Sequence, residues 1–387
     1  MNLSLDQKKA VKALLDWFHS KNKTPVITLG GYAGTGKTTL ISYFRKKLYD
    51  NSKKTKVAFC SYTGRATQNL KNKLGQNATT YWQDKLSTIH GLMYNPIENA
   101  HQEIVGWEKK EQIEADLIII DEASMVDELI FKDLLSFTIP IIAVGDHGQL
   151  PPINGNFNLM QTPNITLTQI HRQAKDNPII KISILAREKG SIPVKSFGKN
   201  ISKYALSNPE ASEISSQLLK NYSPDTLILC GYNSTRTKIN SFIRSDLGFD
   251  TPTPQANDRV ICLRNNHEKS IYNGMLGTVL KISKKDENWF NAEIEMDGSE
   301  KLYSGLIFAP QFGALQPVNF TQNRRLALAG DLFDFGYALT VHKAQGSQAK
   351  RVILFEEKFQ KMDKTMWKRW LYTGITRAEE ELFLFGN

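Results

Sequence analysis

Cysteine is scarce in this 387-residue chain: Cys60, Cys230 and Cys262 stand far apart and none forms a C-x-x-C pair. Such spacing suggests neither a zinc site nor a disulfide framework, and it fits a reducing, intracellular setting. No apolar run approaches membrane-spanning length. Met1 to Phe18 mixes Asp6, Lys8, Lys9 and Asp16 with apolar residues, so a signal peptide's unbroken apolar stretch is missing. A cytoplasmic location without membrane contact is therefore expected. Internal repeats and low-complexity tracts are also lacking, which argues against a solenoid or a largely disordered chain.

What is present is ordinary in amount and uneven in sign. Hydrophobic residues make up 41% and charged residues 23%, a balance that folds, and the length predicts two or three domains. Lys and Arg number 49 against 39 Asp and Glu, a net charge of +10. That excess favours a polyanionic partner and salt-sensitive binding, and it serves simple solubility equally well.

Leu5, Val11, Leu14, Leu15 and Phe18 recur at helical spacing, predicting an opening helix capped by Ser4 or Asp6. Short apolar strands follow at Val26 to Leu29, Val57 to Cys60, Leu117 to Ile120 and Ile141 to Val144, with helical segments at Thr38 to Leu48 and Glu128 to Leu135. Strand and helix in alternation predict a parallel sheet wrapped by helices. The pattern returns more sparsely at Leu227 to Cys230, Thr235 to Leu247, Tyr337 to Thr340, Val352 to Phe355 and Leu382 to Phe385, predicting a second α/β domain. Between them, Arg259 to Leu263, Gly277 to Ile282 and Trp289 to Met296 are β-rich, with turn residues Asn273-Gly274 and Asp297-Gly298. They read as a small β-barrel inserted into the second domain. The expected partition is 1–154 for domain one, 155–257 with 330–387 for domain two, and 258–329 for the barrel. A shorter insertion at about 92–112, with Tyr94, Pro96 and Trp107, interrupts domain one.

Gly31-Tyr32-Ala33-Gly34-Thr35-Gly36-Lys37-Thr38 fits a P-loop, after an apolar strand and before a helix. In that setting Gly34, Thr35 and Gly36 bring backbone N–H groups around phosphates, and the helix start at Thr38 and Thr39 adds positive potential. Lys37 is the candidate contact to the β- and γ-phosphates, and the Thr38 hydroxyl a candidate Mg²⁺ ligand. Leu117 to Ile120 ends in Asp121-Glu122, two carboxylates at the carboxyl edge of the sheet, where open α/β folds bind ligands. Asp121 suits the Mg²⁺ role and Glu122 the activation of an attacking water. Helix capping is the alternative for an isolated acidic pair.

These strings, in this order, resemble the superfamily 1B helicases, the group of RecD-like and bacteriophage Dda-like proteins. The resemblance runs from Leu5 to Gln7 and the P-loop through Tyr62-Thr63-Gly64-Arg65-Ala66, Ser87-Thr88-Ile89-His90, Asp121-Glu122-Ala123-Ser124-Met125 and Gly145-Asp146-His147-Gly148-Gln149-Leu150-Pro151-Pro152. It continues with Leu167-Thr168-Gln169-Ile170-His171-Arg172-Gln173, Ala338 to Ser347 around Thr340, His342 and Lys343, and Tyr372-Thr373-Gly374-Ile375-Thr376-Arg377-Ala378.

The resemblance implies two RecA-like parallel-sheet domains, an inserted SH3-like barrel, and ATP with Mg²⁺ bound between the domains. It implies an ATP-dependent DNA helicase that moves 5′-to-3′ on single-stranded DNA. Gln7 would read the adenine, Gln149 would sense the γ-phosphate, and Arg172 and Arg377 would reach the nucleotide from domain two. Thr63, His90, Thr340 and His342 match positions lining the strand track. Implied partners are single-stranded DNA and duplex with a single-stranded tail, with single-strand-binding or replication proteins as further candidates and a monomer as the expected state. Two features depart from the pattern. An acidic residue often follows the His-Lys-Ala-Gln-Gly string, whereas Ser347-Gln348 stand here. The domain-one insertion, a strand-separating pin in relatives, is short, with Trp107 or Tyr94 as wedge or, alternatively, as aromatics packed on the domain body. An RNA-directed motor and a non-unwinding clamp are the competing readings.

Overall fold

The computed structural model describes residues 3–98, 104–152, 157–170, 176–266, 269, 271–297, 299, 301–316, 318 and 329–387. Two compact units emerge, 1–95 with 107–181 and 96–106 with 182–387. Among the described residues no helix is long and apolar enough to cross a membrane.

The first unit opens on α1 (Leu5–His19), whose start is fixed by a reciprocal cap in which Ser4 and Gln7 bond each other's backbone N–H. Its sheet strands are β1 (Val26–Gly31), β2 (Val57–Ser61), β3 (Lys85–Thr88), β6 (Leu117–Asp121), β7 (Ile141–Gly145) and β8 (Ile165–Leu167), and between β3 and β6 a separate two-stranded sheet of β4 (Tyr94–Glu98) and β5 (Ile104–Lys109) straddles the boundary between the units. Its helices continue with α2 (Lys37–Asn51), α3 (Gly64–Gln76), the short α4 (Ile89–Met93) and α5 (Glu128–Leu135), and α6 (Pro178–Lys189) follows. The sheet order β3-β2-β6-β7-β1-β8 is parallel throughout.

Period-two alternation explains why both faces carry helices. On β6, Leu117 and Ile119 join one core with Leu14, Leu40 and Phe44, while Ile118 and Ile120 join the other with Ile89, Ile130 and Leu134. Each such side chain, fully buried, contributes about 1.5–3 kcal/mol.

The second unit contains β9 (Ser196–Gly198), β10 (Ile201–Ala205), α7 (Pro209–Lys220), β11 (Thr226–Cys230) and α8 (Asn233–Asp246). An antiparallel sheet follows, from β12 (Arg259–Cys262), β13 (Leu276–Lys284), β14 (Trp289–Met296), β15 (Leu302–Phe308) and β16 (Phe333–Phe335). The chain then returns through β17 (Ala338–Thr340), β18 (Ala349–Phe355), α9 (Lys364–Ile375) and β19 (Ala378–Gly386). The α/β sheet runs β17-β11-β18-β19-β10-β9, parallel except at β9.

The antiparallel sheet has the order β15-β14-β13-β12-β16, and a bridge between Ile307 and Asp331 links the ends of that order. Its core of Val260, Val279, Phe290, Ile294, Tyr303 and Phe333 is separate from that of the α/β sheet. Buried ion pairs hold the two layers of this unit together: Arg244 on Asp258 at 2.9 Å and Arg236 on Asp334 at 2.8 Å. Removing one partner of such a pair strands a buried charge.

Two expected boundaries move. Strand β8 pairs with β1, so the first sheet extends beyond 154; backbone pairing of Leu29 with Ile165 overrides the change of composition there. Strand β16 pairs with β12, so the inserted sheet takes residues past 329, up to Phe335.

Candidate nucleotide and strand site

A parallel sheet gathers whatever follows its strands along one edge. Here β1 is followed by the P-loop, β6 ends on Asp121, and β7 leads into Asp146. Register aligns Gly30 with Gly145 and Ser61 with Asp121, so these segments are neighbours in space.

Within the P-loop, Gly34 (φ 80°) and Gly36 (φ 74°) adopt the left-handed conformation that β-carbon-bearing residues avoid. A Cβ at Gly31 would stand 2.5 Å from Thr35 Oγ1, which donates to Tyr32 O at 2.7 Å. Thr38 and Thr39 lie in the first turn of α2, Thr39 exposed and Thr38 half-buried. Lys37 Nζ donates to Gly31 O at 2.6 Å and Tyr32 O at 3.2 Å and lies 4.0 Å from Asp146 Oδ2.

Gln7 is fully buried, and its amide is engaged at both ends. Nε2 donates to Thr35 O at 3.1 Å, while Oε1 accepts from Ser4 N at 3.0 Å. The side chain expected to read the adenine thus ties the start of α1 to the P-loop backbone.

Asp121 Oδ1 accepts from Glu122 N at 3.0 Å. Burial, and then the neighbouring Glu122 carboxylate, push the Asp121 carboxyl from its usual 3.8 up to about 6, against the pull of Lys73 and Lys37. Glu122 itself has φ 53°, a left-handed backbone at a non-glycine residue. Such positions cost on the order of 1–2 kcal/mol and concentrate at functional sites. Among the described residues, Ser124 Oγ and Gln149 Oε1 are buried with no hydrogen-bond partner.

The raised pKa has a stability consequence with a definite sign. The folded state holds the Asp121 proton more tightly than the unfolded chain, so its contribution is complete below pH 3.8 and lost as pH rises through about 6. Ionised and without a cation, the side chain costs roughly 2–3 kcal/mol. Asp121→Asn should therefore raise the melting temperature in metal-free buffer at about pH 8, the gain vanishing near pH 4. Thermal melts across that range check this; a difference independent of pH would contradict the shift.

Thr63 and His90 follow β2 and β3 at the same sheet edge. Thr63 caps α3 by accepting from Ala66 N at 3.2 Å, which leaves its hydroxyl proton able to donate. His90 lies half-buried between Tyr62 and Tyr94; burial pushes its pKa down, against the opposing pull of Asp127, favouring a neutral imidazole. Tyr94 packs into the same core and bonds Asp133, as an aromatic of the domain body rather than a free wedge. The side chain of Trp107 lies outside the described residues.

In the second unit Thr340 ends β17 beside Cys230, and His342 follows with its pKa lowered by burial. Arg377 is 2% exposed, its guanidinium donating to Thr373 O, Ser347 O and Thr376 Oγ1 at 3.0–3.2 Å. Carbonyls rather than a carboxylate hold it, so its charge is not neutralised by a described ion pair. Arg172 lies outside the described residues.

Two features of the site escaped the sequence reading. Asp146 is 1% exposed and faces Lys37; its place directly after an apolar strand, like that of Asp121, was the available signal. Tyr32 of the P-loop packs on His147 with ring centroids 4.2 Å apart, and no spacing rule foretells that contact.

Residues 11–155 match the family described as AAA domain, and 335–385 the UvrD-like helicase C-terminal domain. Over 94% of its length the chain is 27% identical to the ATP-dependent RecD2 DNA helicase of Deinococcus radiodurans, of which it spans 47%. It is 26% identical over 94% of its length to the RecBCD enzyme subunit RecD of Buchnera aphidicola, spanning 70% of that protein. A 36% portion is 35% identical to the ATP-dependent DNA helicase dda of Enterobacteria phage T4, covering 30% of it. Among solved structures, the fold is similar to a Bacteroides Pif1 helicase in complex with ADP-AlF3 and ssDNA, with TM-score 0.56, 18% identity, and 99% and 92% of the two chains covered. The two family matches thus fall in chain order on the P-loop sheet and on the last strands and helix of the second unit. Its sequence relatives include RecD-like proteins and the phage Dda helicase.

Proposed function

We propose that the chain is an ATP-dependent DNA helicase that translocates 5′-to-3′ on single-stranded DNA and uses ATP hydrolysis to unwind duplex. The observation that carries this reading is the single sheet edge on which the P-loop, Lys37, Asp121, Glu122 and Asp146 meet. The names of the superfamily 1B relatives supply the substrate class.

In this reading backbone N–H groups at Gly34, Thr35 and Gly36 close around the phosphates. Lys37 exchanges its two P-loop carbonyls for β- and γ-phosphate oxygens. Among the described residues no group of three or more His, Cys, Asp or Glu side chains could cage a metal alone. That suits Mg²⁺, which is commonly held by one or two protein ligands together with phosphate oxygens. The Thr38 hydroxyl and Asp121 would hold it, and the raised Asp121 pKa marks a carboxylate that a cation would favour. When bound, the ion neutralises charge on the phosphates.

Glu122 accepts the proton of the attacking water, Gln149 reports the γ-phosphate, and Arg172 and Arg377 supply cationic charge for the transferred group. Thr63, His90, Thr340 and His342 donate hydrogen bonds to phosphates, contacts that position a strand without reading its sequence. The two parallel sheets serve as RecA-like motor domains, and the bridged antiparallel sheet as the SH3-like barrel.

Direction is decided by duplexes carrying only a 5′ or only a 3′ single-stranded tail. Unwinding of the 5′-tailed substrate alone is the expected outcome; unwinding confined to 3′ tails would reverse the assignment.

A further inference from the structure

At the amino-terminal end of β3, away from the edge that carries the P-loop, the loop before Lys85 presents Trp82 with 91% of its surface exposed. Its neighbours are fixed. Tyr81 stacks on Tyr49 of α2, centroids 3.6 Å apart and planes 6° from parallel. The Arg45 guanidinium lies over both rings, 4.6 Å from Tyr81 and 5.7 Å from Tyr49, and is itself held by Asp84 at 2.8 Å. On the other side Gln83 Nε2 donates to Lys53 O at 2.7 Å, tying the loop to the segment between α2 and β2.

A rigid base thus carries an indole that gains nothing from burial. The surrounding chain carries exposed cations, Lys46 on α2 and Lys53 and Lys54 in the following loop, against two nearby acids, Asp50 and the Asp84 that Arg45 holds. Peptide anchors need a desolvated pocket, whereas a nucleobase needs an open aromatic face with cations in reach of its phosphates. We propose that Trp82, with the exposed Lys46 next to Arg45 and Lys53 and Lys54 in the segment that Gln83 binds, is a second contact for single-stranded nucleic acid, outside the strand track. Bases stack on the indole and phosphates meet the ammonium groups. The proposal rests on the nucleic-acid reading above for its partner class.

The test uses the whole purified chain with a fluorescent oligothymidylate and a 5-iodouracil-substituted version. Ultraviolet cross-linking should label Trp82, mapped by mass spectrometry. Trp82→Ala should weaken oligonucleotide binding about 5- to 100-fold, with Trp82→Phe retaining much of the affinity. Because the side chain is exposed, both variants should melt as the parent does. Equal affinity in all three proteins, or no label at Trp82, would overturn the proposal. So would indole quenching by polyglutamate but not by oligonucleotide, which would make the occupant an acidic peptide. Absent DNA-stimulated ATPase in the parent protein is a separate result: it defeats the motor reading and leaves the cross-link readable.

Discussion

Lys37→Ala is expected to lower ATP hydrolysis by about 10²–10³-fold, the usual loss when a charge-stabilising donor is removed from a transferring group. The ammonium already sits within the loop that would hold the phosphates, bonded to Gly31 O and Tyr32 O. It is 4.0 Å from Asp146, which keeps it pointing along the sheet edge. Removing it takes away ground-state binding as well as charge stabilisation. The thermal shift produced by ATP, worth about 2.7 kcal/mol at a hundredfold excess over Kd, should therefore shrink together with the rate. Phosphate release and a nucleotide melting series measure both; a variant with parental turnover would remove Lys37 from the site.

Glu122→Gln should separate those two readouts. A glutamine keeps the shape and can hold the same left-handed backbone, but it cannot accept the water's proton, so hydrolysis should fall by about 10²–10⁴-fold. ATP should still stabilise the variant. Loss of the second carboxylate also removes a cause of the raised Asp121 pKa, so the pH dependence of unliganded stability should weaken in the same protein. Hydrolysis at the parental rate would end the water-activating role.

Much of the scaffold was legible because its strands are short apolar runs with sharp ends. Leu117–Asp121 and Ile141–Gly145 each extend one residue beyond the expected span, and α5 spans Glu128–Leu135, the helical segment expected there. The P-loop was legible since glycine at positive φ leaves a compositional mark. Other elements left none. Strand β3, Lys85–Thr88, is an edge strand with one fully buried residue, so alternation had no room to show. Strand β8 is three residues long and owes its existence to pairing with β1.

The double use of Gln7 was hidden for a related reason. A polar residue three positions after Ser4 reads as a helix cap, and only the folded chain reveals that its amide also reaches Thr35. Glu122 carries a strained backbone that residue type does not announce, and Arg377 is held by the local Thr373 carbonyl and by the Ser347 carbonyl that tertiary packing brings to it. The sequence thus named most of the chemical groups, while their couplings belong to the fold.

If this sheet edge is a motor's nucleotide site, single-stranded DNA drives its nucleotide cycle. Steady-state ATP hydrolysis by the purified chain, measured with magnesium in the presence and absence of a long oligothymidylate, tests it most directly. The expected rate rises many-fold with the DNA and stays low, with or without it, in Lys37→Ala and Glu122→Gln. A rate that is the same with and without the strand would contradict it.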